Sequence, residues 1–290
     1  MRLYWEITTK CNNSCNYCFG NFITRVKDLG IKTRLNNLIR AIKTLNASEL
    51  IITGGEPCMA ESLIPNIKIL KELFSKLKIR IITNGDYSFD IPRESIENKL
   101  IQGITFTDHD TINRRARLRF IKSYEANSSI NVIIPINRKR IDNIGEILDE
   151  YQNVGCNKFS LNIIHYNIDN DQSIYYAKKD EVQKLLSINN NTITITNKDS
   201  LVHQLKYIKP IRSKNNLCKA GEDFIYIDSA GNIKGCPYHK KEIANYELLL
   251  NMNEETCSKL ILQNITSFYY EKKECLIHPG CVCINGSVLI

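Results

Sequence analysis

The sequence lacks any run of about 18 apolar residues, so no transmembrane helix is expected. Its opening, MRLYWEITTKCNNSC, has neither the apolar core nor the small-residue cleavage site of a signal peptide. A cytoplasmic location is expected, with no membrane partner. There is no nucleic-acid-binding motif to go with the net charge of +8, so no nucleic-acid partner is indicated. Internal repeats and low-complexity tracts are also missing, which sets aside solenoids and disordered chains. What is present is 290 residues with 43% hydrophobic content, enough for one large domain or one plus a small appendage. Some of the positive charge is concentrated in Arg114, Arg115, Arg117, Arg119 and Lys122. That segment reads as a solvated helix face; the functional alternative is contact with an acidic partner such as a peptide or nucleotide. The 11 cysteines are an odd, clustered set. In a reducing compartment they read as metal ligands before disulfides.

Short apolar runs alternate with helical patterns over the first 165 residues. Strands are expected at Leu3–Thr8, Leu50–Thr53, Ile79–Thr83, Ile104–Thr107, Ile130–Ile136 and Lys158–Ile164. Helices are expected at Thr33–Leu45, Leu63–Leu77, Thr111–Glu125 and Ile144–Val154, the first from the spacing of Leu35, Leu38, Ile39, Ile42 and Leu45. Strand–helix alternation implies α/β architecture with a parallel sheet, either a partial barrel or a doubly wound sheet. The rhythm breaks after His165, where Asn167–Asp171 and Ser187–Asn191 read as linkers. Farther on, Phe224–Asp228 and Asn232–Gly235 flank Ser229-Ala230-Gly231 and read as a hairpin.

Three thiols, Cys11, Cys15 and Cys18, lie in the loop after the first strand with no fourth cysteine or histidine nearby. A structural zinc site closes with four ligands; three leave a four-iron cluster with one open iron. A zinc site completed from afar is the alternative. The cysteine, three residues, cysteine, one residue, aromatic, cysteine pattern of Cys11, Cys15, Tyr17 and Cys18 resembles the radical S-adenosylmethionine (SAM) superfamily. The resemblance implies a partial (β/α)6 barrel in which these cysteines hold a 4Fe-4S cluster. The open iron of that cluster would chelate SAM, with Tyr17 near the adenine. Gly54-Gly55-Glu56 follows the second strand and matches the family's GGE motif, which implies contact with the methionyl amino group of SAM. Thr83-Asn84-Gly85 resembles the family's TNG, which places Asn84 in the SAM site. Thr105, Thr107 and Asp108 end the fourth strand, and one of them is a candidate ribose contact. All these residues fall at the carboxyl ends of expected parallel strands, where ligands bind in such sheets.

Cys218 and Cys236, on either side of the hairpin turn, resemble the start of the auxiliary-cluster domains called SPASM and twitch. That resemblance implies a second, auxiliary 4Fe-4S cluster completed by Cys275 and Cys281, with Cys283 as a further candidate. A full SPASM domain carries seven cysteines, whereas only six lie from Cys218 onward, so one cluster fits better than two. A zinc site is the alternative, with His278 as a candidate ligand. Cys58, Cys156 and Cys257 read as buried thiols. The expected organisation is a core domain over 1–165, a bridging segment over 166–217 and a smaller cysteine-rich domain over 218–290.

The family resemblance implies reductive cleavage of SAM to methionine and a 5′-deoxyadenosyl radical, which takes a hydrogen atom from the substrate. The electron donor would be of the flavodoxin or ferredoxin kind. Modification of a ribosomally made peptide, by crosslinking, thioether formation or epimerisation, is the preferred expectation. Dehydrogenation of a small molecule and a non-catalytic electron carrier or scaffold are the alternatives. The chain opens on its first strand, so a leader peptide is expected to be bound by a separate protein or by the body of this one.

Overall fold

The computed structural model describes residues 1–15, 18, 31–109, 114–124, 130–163, 185, 194–195, 220–237, 242–245 and 251–271. Its first half alternates strand and helix. The order is β1 (Arg2–Glu6), α1 (Ile31–Thr44), β2 (Glu49–Thr53), α2 (Leu63–Leu73), β3 (Lys78–Thr83), α3 (Asp90–Glu97) and β4 (Gly103–Thr107). Then come α4 (Arg114–Lys122), β5 (Ile130–Ile136), α5 (Arg138–Ile141), α6 (Ile144–Gln152) and β6 (Lys158–Ile163). The later described elements are β7 (Thr194–Ile195), β8 (Phe224–Ile227), β9 (Ile233–Lys234), β10 (Glu242–Ala244) and a long helix α7 (Glu254–Glu271). No helix among the described residues is long and apolar enough to cross a membrane.

β1 to β6 pair in sequence order, all parallel, forming the α/β partial barrel. The expected strands and helices are present with ends moved by a few residues. α3 was not anticipated. It carries Pro92 within its first turn, a position that tolerates the missing N–H.

Strand register divides the sheet into two faces. Leu3, Trp5, Leu50, Ile52, Phe106 and Val132 lie on one, and all are fully buried. Ring contacts locate the helices on this side: Phe106 meets Phe120 of α4 edge-on at 5.6 Å, and Phe159 meets Tyr151 of α6 at 6.2 Å. The opposite face is more polar, carrying Tyr4, Glu6, Thr105, Asn131 and Ser160. At the amino ends of the strands, Glu49 takes Arg2 Nε at 2.7 Å and Arg80 Nε at 3.1 Å, tying β1, β2 and β3 together.

The expected hairpin forms as β8 and β9, antiparallel. It does not stand apart from the first half: β8 pairs parallel with the free edge of β1, from Arg2↔Phe224 to Trp5↔Ile227. The sheet order is therefore β10-β9-β8-β1-β2-β3-β4-β5-β6-β7. β1 becomes an interior strand, paired on both sides. Helix α7 braces this end through Thr44–Ser258 (2.9 Å between hydroxyls) and Asn264 Nδ2 to Ile243 O (2.8 Å). Phe268 of α7 lies buried over the hairpin.

The ring of Phe268 requires glycine beneath it. A Cβ at Gly235 would fall 2.1 Å from Phe268 Cε1. Gly235→Ala should therefore destabilise the protein by about 1–3 kcal/mol, as overpacking does. Phe268→Leu in the same chain should recover part of that loss, read as the urea midpoint of unfolding.

Candidate active site at the carboxyl ends of the strands

The chain leaves β1 through Thr8, Thr9 and Lys10 into the three-cysteine loop. That stem lies against the loop after β2. Gly55 N donates to Thr8 O at 2.8 Å and Glu56 N to Lys10 O at 2.7 Å. The approach is close enough to exclude side chains. A Cβ on Gly54, at φ +153°, would meet Thr8 O at 2.5 Å, and one on Gly55 would meet Lys10 O at 2.2 Å. The glycine pair is thus needed for the two loops to pack backbone to backbone.

Glu56 follows them and is fully buried. Its Oε1 accepts from Thr83 Oγ1 at 2.6 Å and from Cys58 N at 2.9 Å, and its Oε2 from Asn84 N at 2.8 Å. Burial raises its pKa above the ordinary carboxylate value, and the hydrogen bonds from Thr83, Asn84 and Cys58 pull it back. The carboxylate caps the 3-10 turn Pro57–Met59 and ties the end of β3 to the cysteine-loop stem. Asn84 continues this link, donating from Nδ2 to Asn12 Oδ1 at 2.9 Å.

Within the loop, Cys18 N donates to Cys15 O at 3.0 Å and Asn13 N to Cys11 Sγ at 3.4 Å. Cys11 is exposed, Cys15 and Cys18 are half-buried, and none of the three is in a disulfide. Burial, then the neighbouring Cys18 and Cys11 and the carboxylate of Asp86, pushes Cys15 up to about 11. Cys11 and Cys18 therefore both lie within electrostatic reach of Cys15. Among the described residues no three His, Cys, Asp or Glu side chains close on a single ion. A cubane offers each thiolate its own iron, so a cluster fits a more open donor set, and a bound metal supplies the charge that deprotonates the thiols.

Thr105 lies buried and Thr107 half-buried at the end of β4, on the polar face. Asp108, the third of the candidates for a ribose contact, is placed differently. It turns toward the helices, fully buried, with Oδ1 on Arg117 Nη2 at 2.7 Å and Oδ2 on Arg114 Nε at 2.9 Å and Arg140 Nη2 at 3.1 Å. Arg140 also donates to the Asp108 carbonyl. With both oxygens occupied by guanidiniums, Asp108 is part of the frame.

The basic segment needs the matching correction. Arg115, Arg119 and Lys122 are exposed, as expected of a solvated face, but Arg117 is wholly buried and Arg114 is paired to Asp108 and Glu150. Spacing held the signal: Arg117 shares a helical stripe with Phe120 and Ile121, both buried. His109 was also missed. Burial first, then Arg117, lowers its imidazole to about 4.

Tyr17, Cys218, Cys275, Cys281, Cys283 and His278 lie outside the described residues. Cys236 is half-buried just after β9 and packs against the core. Cys58, Cys156 and Cys257 are buried. Cys58 lies beside the Glu56–Thr83 pair, its Sγ 3.7 Å from Thr83 Oγ1.

Residues 5–97, which carry the end of β1, the cysteine loop, the glycine pair and β3, match the radical SAM superfamily. Over 82 residues the chain is 35% identical to GTP 3',8-cyclase of Psychromonas ingrahamii, covering 28% of this chain and 24% of the cyclase. Over 160 residues it is 26% identical to an S-adenosylmethionine-dependent nucleotide dehydratase of Fibrobacter sp., covering 51% of this chain and 47% of the dehydratase. The matches thus span less than half the length of either relative. Among solved structures, Streptococcus suis SuiB bound to precursor peptide SuiA superposes at TM-score 0.64 and 16% identity, covering 92% of this chain and 66% of SuiB. anSMEcpe with bound AdoMet gives 0.63 and 14%, covering 90% and 83%. BtrN with AdoMet and 2-DOIA gives 0.52 and 15%, covering 94% and 87%. At these identities the likeness is one of fold.

Two outcomes follow from this geometry. Gly55→Ala should push the two loops apart, costing about 1–3 kcal/mol. The iron taken up on anaerobic reconstitution should then fall, as measured by iron assay. For His109 the folded imidazole stays neutral down to about pH 4, whereas an unfolded one takes a proton near 6.5. Between those values the unfolded chain binds more protons, so stability falls as pH drops through the window. His109→Gln should remove up to about 3 kcal/mol of that loss, seen by comparing unfolding at pH 7 and pH 4.

Proposed function

We propose that this chain cleaves SAM reductively and uses the resulting radical to modify a peptide. The observation that carries the reading is the three-thiol loop at the end of β1, packed without intervening side chains on Gly54-Gly55-Glu56. Cys11, Cys15 and Cys18 would hold the 4Fe-4S cluster. Gly54, Gly55, Glu56 and Asn84 would form the wall against the methionyl end of SAM, with Tyr17 toward the adenine. Thr105 and Thr107, on the polar face, supply hydroxyls toward the ribose side. When bound, cluster and SAM supply a 5′-deoxyadenosyl radical on receipt of one electron from a flavodoxin- or ferredoxin-type donor. The chain's own part is positional: the polar face holds the reacting carbon in reach.

A SPASM or twitch assignment for the later part rests on Cys218 and Cys236 flanking the hairpin, with Cys275, Cys281 and Cys283 as the remaining candidate ligands. The structures of SuiB with its precursor peptide and of peptide-bound anSMEcpe support a peptide substrate, handed over by a separate leader-binding protein or bound by the body of the chain. A small molecule is the second reading, because both curated relatives act on nucleotides by name and BtrN was solved with 2-DOIA. The cytoplasm is the setting that suits this chemistry.

Anaerobically reconstituted protein, given SAM and dithionite, should release 5′-deoxyadenosine, and alanine at Cys11, Cys15 and Cys18 should abolish it. An iron-replete protein that releases none would overturn the reading. Two cubanes give about eight irons per chain, and one gives about four. The substrate class is read from deuterium transfer. With extract from cells grown in heavy water, label should enter 5′-deoxyadenosine from the peptide fraction. Label arriving from the small-molecule fraction alone would select the second reading.

A further inference from the structure

The end of β3 touches the cysteine loop on one side and a buried arginine on the other. Toward the loop, Asn84 Nδ2 donates to Asn12 Oδ1 at 2.9 Å, and Asp86 Oδ2 accepts from Asn13 Nδ2 at 3.0 Å. Toward the helices, Arg117 Nη1 donates to Asn84 O at 2.8 Å and to Asp86 Oδ1 at 2.7 Å. Asp86 therefore spans the gap, one oxygen on the arginine and the other on the residue two places from Cys11. Arg117 is itself fixed from behind. Its Nη2 pairs with Asp108 Oδ1 at 2.7 Å and its Nε donates to Tyr151 OH at 3.2 Å.

We propose that Arg117 is a positioning residue for the iron–sulfur cluster, acting through Asn84 and Asp86 on Asn12 and Asn13 to set the shape of the cysteine loop. The inference rests on the cluster reading of Cys11, Cys15 and Cys18 given above. Neither asparagine is buried, and Asn13 N lies 3.4 Å from Cys11 Sγ, so a shift at β3 reaches a thiol in two steps. The side chain has to be arginine. Its planar fork serves a carbonyl, two carboxylates and a phenol in one plane, which the single ammonium of lysine does not match. Groups one shell behind the ligands orient them and tune what they hold.

The test uses the reconstituted holoprotein and four variants: Asn13→Ala, Arg117→Lys, Arg117→Met, and Asn13→Ala with Arg117→Met. Each is first shown to be folded by circular dichroism. The readouts are the rate at which a chelator bleaches the cluster and the EPR spectrum of the reduced protein with and without SAM. Arg117→Met should speed bleaching by roughly tenfold or more and alter the EPR change that SAM induces. Arg117→Lys should not restore either. Asn13→Ala should shift both readouts the same way, and the double variant should add less than the two single effects combined. A folded Arg117→Met with parental bleaching and parental spectra would overturn the proposal. If Arg117→Met does not fold, Asn13→Ala decides alone, and parental values there overturn it equally. A parent protein that takes up no four-iron cluster would instead count against the cluster reading itself.

Discussion

A single buried carboxylate holds three chain segments at one point. Glu56 takes hydrogen bonds from Thr83, from the Asn84 amide and from the Cys58 amide, while its own amide is bonded to Lys10 O. The end of β3, the turn after β2 and the stem of the cysteine loop are thereby fixed relative to one another. Hydrogen bonds to an ionised group contribute about 1.5–3 kcal/mol each, against a desolvation cost of several kcal/mol. Energetically the arrangement comes close to break-even, and its main effect is geometric. The thiols emerge from a stem that cannot shift without breaking those bonds.

The ends of β3 and β4 are held by a second, larger polar assembly. Arg114, Arg117 and Arg140 face Asp86, Asp108 and Glu150, a balanced set of charges between the sheet and its helices. Breaking a buried ion pair from one side costs about 3–5 kcal/mol, because it strands the other charge. The carboxyl edge of the sheet is thus polar on both faces: one carries the hydroxyls of Thr105 and Thr107, and the other holds paired charges between sheet and helices. His109 lies among these groups, and its desolvation keeps it neutral where an exposed imidazole would charge.

Much of this was legible in the sequence. Short apolar runs located six strands, which are buried on both faces as in β5, and the 3.6-residue period located four helices. The three-thiol spacing and the glycine pair marked the loops that touch. The roles of Asp108 and Arg117 were hidden, because a run of arginines carries no sign of which side chain points inward until its helix is seated; only the Arg117, Phe120, Ile121 stripe hinted at it. The parallel pairing of β8 with β1 was hidden for a different reason. Phe224–Ile227 is a fully buried apolar run, which fixes its type but not its neighbour. Helix α3 escaped because Pro92 reads as a breaker unless the helix is known to start two residues earlier.

The pairing of β8 with β1 also has a consequence in time. Tyr226 donates to Glu6 at 2.5 Å across 220 residues of chain. β1 leaves the ribosome about 220 residues ahead of β8, so one of its two hydrogen-bonding edges lacks its β8 partner until that strand has been synthesised. During that interval an apolar strand stands with an open edge, the condition that invites wrong pairings in nascent chains. Contacts so distant in sequence are also slow to form, because a long loop must close before they are rewarded. Closure of the sheet beside the cysteine loop therefore comes late in folding, after the strands that carry the thiols and the glycine pair have already met.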